Sequence, residues 1–182
     1  MIFSSSVHPD ESKEIEQAIC FLVDEYRKSG QNPKPVVFHS LRVAYMLIEL
    51  GYRGVPIIVA ILHDLLEDTK VASHELQKKF GSKISDCVAS LTYNETITDP
   101  VARYRDLFTR TVNYGKDACL VKAADLFDNM RYFGLVENRE KVAELVGKVK
   151  YFIDYAKVIQ EEPILRMLRE HLEKTSDTLR HS

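Results

Sequence analysis

The chain has 182 residues, of which 45% are hydrophobic and 29% charged, with a formal net charge of −2. That is the balance of a soluble globular protein with one sizeable core, and the near-neutral charge offers no general attraction to nucleic acid or to an anionic membrane. An anionic substrate must therefore be held by local basic groups or by a metal. Met1 to Val7 lack a basic stretch followed by an apolar one, so no secretory signal is expected. The longest apolar run, Val55 to Leu62, stops at His63, well short of a membrane span. Cys20, Cys87 and Cys119 are odd in number, far apart and set among apolar residues, which predicts reduced core thiols in a cytoplasmic protein.

The pattern predicts helices throughout and an all-α, compact single-domain bundle. Ile15, Ile19, Leu22 and Tyr26 recur at helical spacing between Asp10 and Ser29, and Gly30 to Pro35 read as a loop. A second helix runs from about Val36 to Leu50. Pro56 then suits the first turn of a third, which is apolar on every side and therefore central, and which carries an acidic cluster at its end. Ser73 is an expected N-cap for a short helix ending at Gly81, and another helix passes through Ile84, Val88 and Leu91. Tyr93 to Pro100 form the longest loop, a candidate wall or lid of a cleft. Amphipathic helices follow over Val101 to Asn113 and Lys116 to Phe133, then a long one from about Glu137 to Gln160. Pro163 opens a last helix to about Lys174. The domain is read as residues 1–175, with 176–182 a frayed tail.

The chemistry concentrates in His63-Asp64-Leu65-Leu66-Glu67-Asp68-Thr69, directly behind the apolar run. Side chains three and four apart share a helix face, so an imidazole and three carboxylates gather in one region. Unpaired buried carboxylates are very costly, which points to neutralisation by a metal cation. His39 lies on an apolar side of its helix with Val43, Met46 and Leu50, and Asp125 lies inside Val121-Lys122-Ala123-Ala124-Asp125-Leu126. Taken singly, each suits a satisfied core histidine or a helix-pairing aspartate better than a ligand. His8, His74, His171 and His181 read as surface residues.

The order His39, His63-Asp64, Asp125 resembles the HD superfamily of metal-dependent phosphohydrolases. His63 to Thr69 (His-Asp-x-x-Glu-Asp-Thr), Arg27-Lys28-Ser29-Gly30, Phe80-Gly81, Leu91-Thr92 and Lys122-Ala123-Ala124-Asp125 with Asn129 resemble segments of the RelA/SpoT-type (p)ppGpp hydrolase domains and the small alarmone hydrolases. The resemblance covers roughly residues 20 to 160. It implies that His39, His63, Asp64 and Asp125 bind one Mn²⁺, and that Glu67 and Asp68 position or deprotonate the attacking water. It also implies that Arg27 and Lys28 meet the base or phosphates and that Asn129 touches the nucleotide near its ribose. The expected activity is release of pyrophosphate from the 3′ position of guanosine-3′,5′-bis(diphosphate). The expected partner is thus a small nucleotide, with no nucleic acid or membrane involved and homo-oligomerisation left open.

The chain also departs from that pattern. Ser40 follows His39 where the family usually has proline, and the H-x-G-Q before the basic segment is replaced by Leu22-Val23-Asp24-Glu25. Tyr93-Asn94-Glu95-Thr96 lack an acidic-then-lysine pattern, and Asp128 stands where histidine or tyrosine is more usual. These changes spare the ligand positions and bear on which nucleotide is bound. A phosphohydrolase for another nucleotide or phosphoester is the first alternative, and a non-catalytic nucleotide-sensing module the second.

Overall fold

Every residue from Pro56 to Leu62 is buried, so the helix they form, α3 (Val55–Leu62), has no face for water and must be wrapped by others. In the computed structural model, which describes residues 9–30, 35–133 and 138–181, α3 packs against α1 (Pro9–Ser29), α2 (Val36–Glu49), α6 (Ser82–Leu91) and α8 (Lys116–Met130). The remaining helices are α4 (Leu65–Asp68), α5 (Ser73–Phe80), α7 (Pro100–Tyr114), α9 (Arg139–Tyr155), a 3-10 turn (Lys157–Ile159) and α10 (Pro163–His181). No strand occurs among the described residues, and the all-α expectation holds. Met1 to His8, Gln31 to Lys34, Gly134 to Glu137 and Ser182 lie outside the described residues, and with them His8, most of the expected first loop and the expected start of α9.

The start of α3 is fixed locally. Gly54 adopts φ +69°, ψ −128°, a conformation open to glycine, and Pro56 in the first turn needs no hydrogen-bond donor. The Gly54 N–H donates to Glu11 Oε1 at 2.6 Å, which ties this end to α1. Gly115, at φ +121°, likewise lets α7 stop and α8 begin without a connecting loop. Asp99 caps α7 by accepting from the Ala102 N–H at 2.7 Å, and Asn138 caps α9 by accepting from Lys141 N–H at 3.0 Å.

Several expectations need correction. The acidic cluster is not a continuation of α3. His63 turns its Nδ1 to the Ala60 carbonyl at 2.8 Å, Asp64 takes φ −92°, ψ −5°, and a separate one-turn helix, α4, follows. The helix over Lys116 to Phe133 ends at Met130 and is not simply amphipathic, because every residue from Ala118 to Leu126 is buried. α8 is therefore a second central helix. Ala72, not Ser73, stands at the cap of α5, its N–H held by Glu75 at 2.8 Å, while the Ser73 hydroxyl meets that of Ser85 at 2.9 Å. Cys87 and Cys119 are buried thiols as expected, whereas Cys20 is exposed on α1. α10 continues to His181, past the expected end near Lys174. His171 is half-buried against Phe127 rather than free at the surface, and His74 is exposed as expected.

Tyr104 and Phe108 of α7 meet Tyr151 and Phe152 of α9, with Phe108 and Phe152 centroids 5.0 Å apart. Leu47 from α2 is fully buried, like the α3 side chains around it. Leu47→Ala is expected to lower the unfolding free energy by about 2–5 kcal/mol, through lost burial and an unfilled cavity. Val158→Ala, at a side chain 49% exposed, is expected to change it by less than about 0.5 kcal/mol. Urea denaturation midpoints with unchanged slopes check both.

Candidate metal centre

Three helices deliver the His–Asp cluster. His39 comes from the first turns of α2, His63 and Asp64 from the break between α3 and α4, and Asp125 from the buried middle of α8. The Nε2 atoms of His39 and His63 are 3.3 Å apart. Asp125 Oδ1 lies 3.3 Å from His39 Nε2 and 3.7 Å from His63 Nε2. Asp64 reaches the same two nitrogens at 3.8 Å through Oδ2 and 3.2 Å through Oδ1. Atoms bound to one ion at ~2.1 Å stand about 3 Å apart when adjacent in an octahedral shell, so these separations suit a shared cation. Candidate ligand atoms of His39, His63 and Asp125 all fall within 4.8 Å of one another. Two imidazoles with carboxylates form a donor set for a first-row divalent ion, and they leave coordination positions open. The residues present fit such a group.

The outer atoms of the cluster are engaged as well. His63 Nδ1 meets the Ala60 carbonyl and His39 Nδ1 meets Asp128 Oδ2, each at 2.8 Å, so both rings aim Nε2 inward. The buried Lys122 ammonium donates to Asp125 Oδ2 at 2.8 Å, and the Asn129 amide to Asp125 Oδ1 at 2.6 Å. Burial alone would raise the Asp125 pKa. The Lys122 charge and the hydrogen bonds from both histidines outweigh it and hold the carboxyl well below its ordinary value. Burial likewise disfavours the charged forms of the imidazoles. For His39 the hydrogen bonds to Asp125 and Asp128 prevail and lift the pKa to about 9; for His63 the Asp64 charge and Asp125 do the same in direction. Both shifts favour the protonated imidazoles, so protons compete with a cation for the Nε2 positions.

Glu67 and Asp68 lie on α4, one turn further on. Glu67 keeps surface open to water at the rim, and its Oε1 accepts from the Tyr93 N–H at 2.6 Å. Crowding by protein raises its carboxyl above the ordinary value, with Asp64 and Asp125 adding to the rise and Lys122 and the Tyr93 N–H opposing it. Asp68 Oδ2 accepts from the Tyr26 hydroxyl at 2.9 Å. Burial, then the charges of Asp64 and Asp68, keep that phenol protonated far above neutral pH. Of the expected substrate contacts, Asn129 spends its amide on Asp125. Arg27 and Lys28 are exposed at the end of α1, where Lys28 pairs with Glu25 at 2.7 Å. Neither touches the His–Asp cluster among the described residues.

The loop between α6 and α7, within the expected cleft wall Tyr93 to Pro100, brings in groups absent from the expected site. Tyr93 receives the Lys148 ammonium on its hydroxyl and the Arg103 guanidinium 5.4 Å over its ring. Beside it a pocket of about 300 Å³ is lined by Leu66, Ala89, Thr92, Tyr93, Asn94 and Arg110. Tyr26, Arg42, Lys122 and Asp128 were also absent from the expected ligand set. Two of these had a local signal, since Lys122 precedes Asp125 by three residues and Arg42 follows His39 by three.

The HD domain family model matches residues 18–149. A guanosine-3′,5′-bis(diphosphate) 3′-pyrophosphohydrolase of Aquifex aeolicus is 32% identical over 148 residues, 76% of this chain and 21% of that protein. A GTP pyrophosphokinase of Brucella ovis is 30% identical over 125 residues, 65% of this chain and 16% of that protein. The chain thus spans about a fifth or less of the length of these curated relatives. Among solved structures, a metazoan ortholog of SpoT that hydrolyses ppGpp superposes with a TM-score of 0.79 over 93% of this chain and 98% of that one. At 20% identity this is a likeness of fold.

A cation entering this cluster competes with protons for the imidazole nitrogens, whose pKa values are raised. Metal affinity is therefore expected to rise with pH and to level off above about 9, where His39 has lost its proton. Titration calorimetry at pH 7 in buffers of different ionisation enthalpy should report net proton release on binding. A pH-independent affinity with no proton release would contradict the reading.

Proposed function

This chain belongs to the HD domain family, and on that premise we propose that it is a divalent-metal-dependent nucleotide phosphohydrolase. Its proposed reaction is hydrolysis of guanosine-3′,5′-bis(diphosphate) with release of pyrophosphate from the 3′ position. The observation that carries the proposal is the meeting of His39, His63, Asp64 and Asp125 around one small volume, with Glu67 one turn beyond. The names of the relatives support the choice of substrate.

His39, His63, Asp64 and Asp125 would hold the ion, and Mn²⁺ suits their mixed nitrogen and oxygen donors. When bound, the ion supplies positive charge that acidifies water and offsets charge gathering on phosphorus. Glu67 is the proposed general base. Its carboxyl, raised by crowding, is fixed by the Tyr93 N–H and faces the same region as Asp64 and Asp125. Asp68, oriented by the Tyr26 hydroxyl, would position the water. Asn129 orients Asp125 and would reach toward the ribose, while Arg27, Lys28, Arg103 and Lys148 would provide positive charge for the base and phosphates. No described helix is long and apolar enough to cross a membrane. The buried free thiols Cys87 and Cys119 are in keeping with a cytoplasmic setting.

One observation favours a second reading, hydrolysis of another nucleotide or phosphoester. In place of an acidic-then-lysine sequence, Tyr93 carries its cations from elsewhere, Lys148 on α9 and Arg103 on α7, and Glu95 points outward with its side chain 80% exposed. A panel of ppGpp, pppGpp, deoxynucleotides, cyclic nucleotides and NADP analogues with Mn²⁺ separates the two readings.

His63→Ala, Asp64→Ala and Asp125→Ala are each expected to abolish both metal retention and pyrophosphate release. Glu67→Gln should keep the metal and lose about 10²–10⁴-fold in turnover. Metal analysis after dialysis, paired with a pyrophosphate assay on ppGpp, checks both. Metal-stripped protein that turned over nucleotide as fast as the loaded form would refute the mechanism.

A further inference from the structure

The proposed ligand set leaves unexplained a second charged group directly behind His39. Asp128 of α8 is fully buried, and a carboxylate in that setting persists only where it is well partnered. Arg42 of α2 grips it with both arms of its fork, Nε to Oδ1 at 2.9 Å and Nη2 to Oδ2 at 2.6 Å. Arg131 adds a third contact, 3.5 Å from Oδ1. Arg42 is itself braced, 4.8 Å over the Phe38 ring and bonded to the Tyr132 hydroxyl at 3.1 Å. Among the described residues, the one remaining partner of Asp128 Oδ2 is His39 Nδ1, at 2.8 Å.

An imidazole that donates from Nδ1 has its lone pair on Nε2, the nitrogen aimed at His63 and Asp125. His63 reaches the same state through a backbone carbonyl, which needs no further support. His39 relies on a side chain, and that side chain can rotate unless something holds it. Asp125 and Asp128 are three residues apart on one face of α8, so both could approach the cluster. The Arg42 fork keeps Asp128 behind the His39 ring and leaves Asp125 to face the Nε2 atoms.

We propose that Asp128 and Arg42 are positioning residues that fix the His39 ring with Nδ1–H turned away and Nε2 presented to the cation. The inference rests on the metal-site reading, and it adds that this chain's His39 ligates only with its carboxylate and guanidinium support in place. Outer partners of this kind typically contribute 10–100-fold to metal affinity.

The test uses the full chain and Zn²⁺, a diamagnetic probe. Affinity is measured by chelator competition, and the nitrogen state of His39 by its imidazole ¹⁵N shifts. In the wild type, His39 should show a metal-bound Nε2 and a protonated Nδ1. Asp128→Ala is expected to weaken Zn²⁺ binding by about 10–100-fold and to remove that signature. Asp128→Asn retains an acceptor oxygen, and should recover the His39 signature and part of the affinity. If Asp128→Ala does not fold, as circular dichroism will show, Arg42→Gln serves in its place, with an expected loss of about tenfold. Wild-type affinity and unchanged His39 shifts in folded Asp128→Ala or Arg42→Gln would overturn the positioning role while leaving the metal site intact. A wild type that binds no Zn²⁺ through His39 Nε2 would overturn the metal-site reading, and this inference with it.

Discussion

An ionised group can sit beside the core of this protein only if an opposite charge sits against it. The middle of α8 offers almost no water, so its charged side chains form a chain of alternating partners with His39 and Arg42 of α2. Lys122 meets Asp125, Asp125 meets His39, His39 meets Asp128, and Asp128 meets Arg42. Buried ion pairs of this kind add little net stability, because desolvation consumes much of the attraction. Their strength lies in direction. Each member has a defined orientation, and removing any one leaves a neighbour buried without its partner.

That constraint explains why the site can be rigid before anything binds. The Nδ1 atoms of both histidines are occupied, Asp125 is held by Lys122 and Asn129, and Asp64 sits at a helix break that no loop motion is needed to form. A divalent ion between the Nε2 atoms and the carboxylates of Asp64 and Asp125 would keep the alternation intact. The catalytic candidates Glu67 and Asp68 lie just outside this chain on α4, held by Tyr93 and Tyr26 while still open to water and substrate.

Much of this was legible in the residues. The all-apolar run Val55 to Leu62 announces a central helix, and His63-Asp64 at its end, with His39 and Asp125 in apolar settings, announces a cluster. What the sequence does not carry is how a side chain rewrites its own backbone. The turn of His63 Nδ1 onto Ala60 ends α3 early, and helical periodicity alone extends the helix through it. Nor does it carry long-range partners. Arg42 and Asp128, 86 residues apart, look like an exposed cation and an odd substitution until α2 and α8 are packed together. Tyr26 and Asp68 meet over 42 residues, and Tyr26 reads locally as one more apolar position of α1. Cys20 misleads in the opposite sense, since an apolar neighbourhood in sequence falls on the outer side of α1. Local pattern finds ligands on separate helices; it does not find what holds them.

In the proposed centre, side chains from α2, the α3–α4 break and α8 share a single cation. Anomalous diffraction from crystals grown with Mn²⁺, collected at the manganese edge, tests this most directly. One strong peak should appear about 2.0–2.3 Å from the Nε2 atoms of His39 and His63 and from carboxylate oxygens of Asp64 and Asp125. No peak there, or a peak ligated by Asp128 or by an Nδ1 atom, would contradict it.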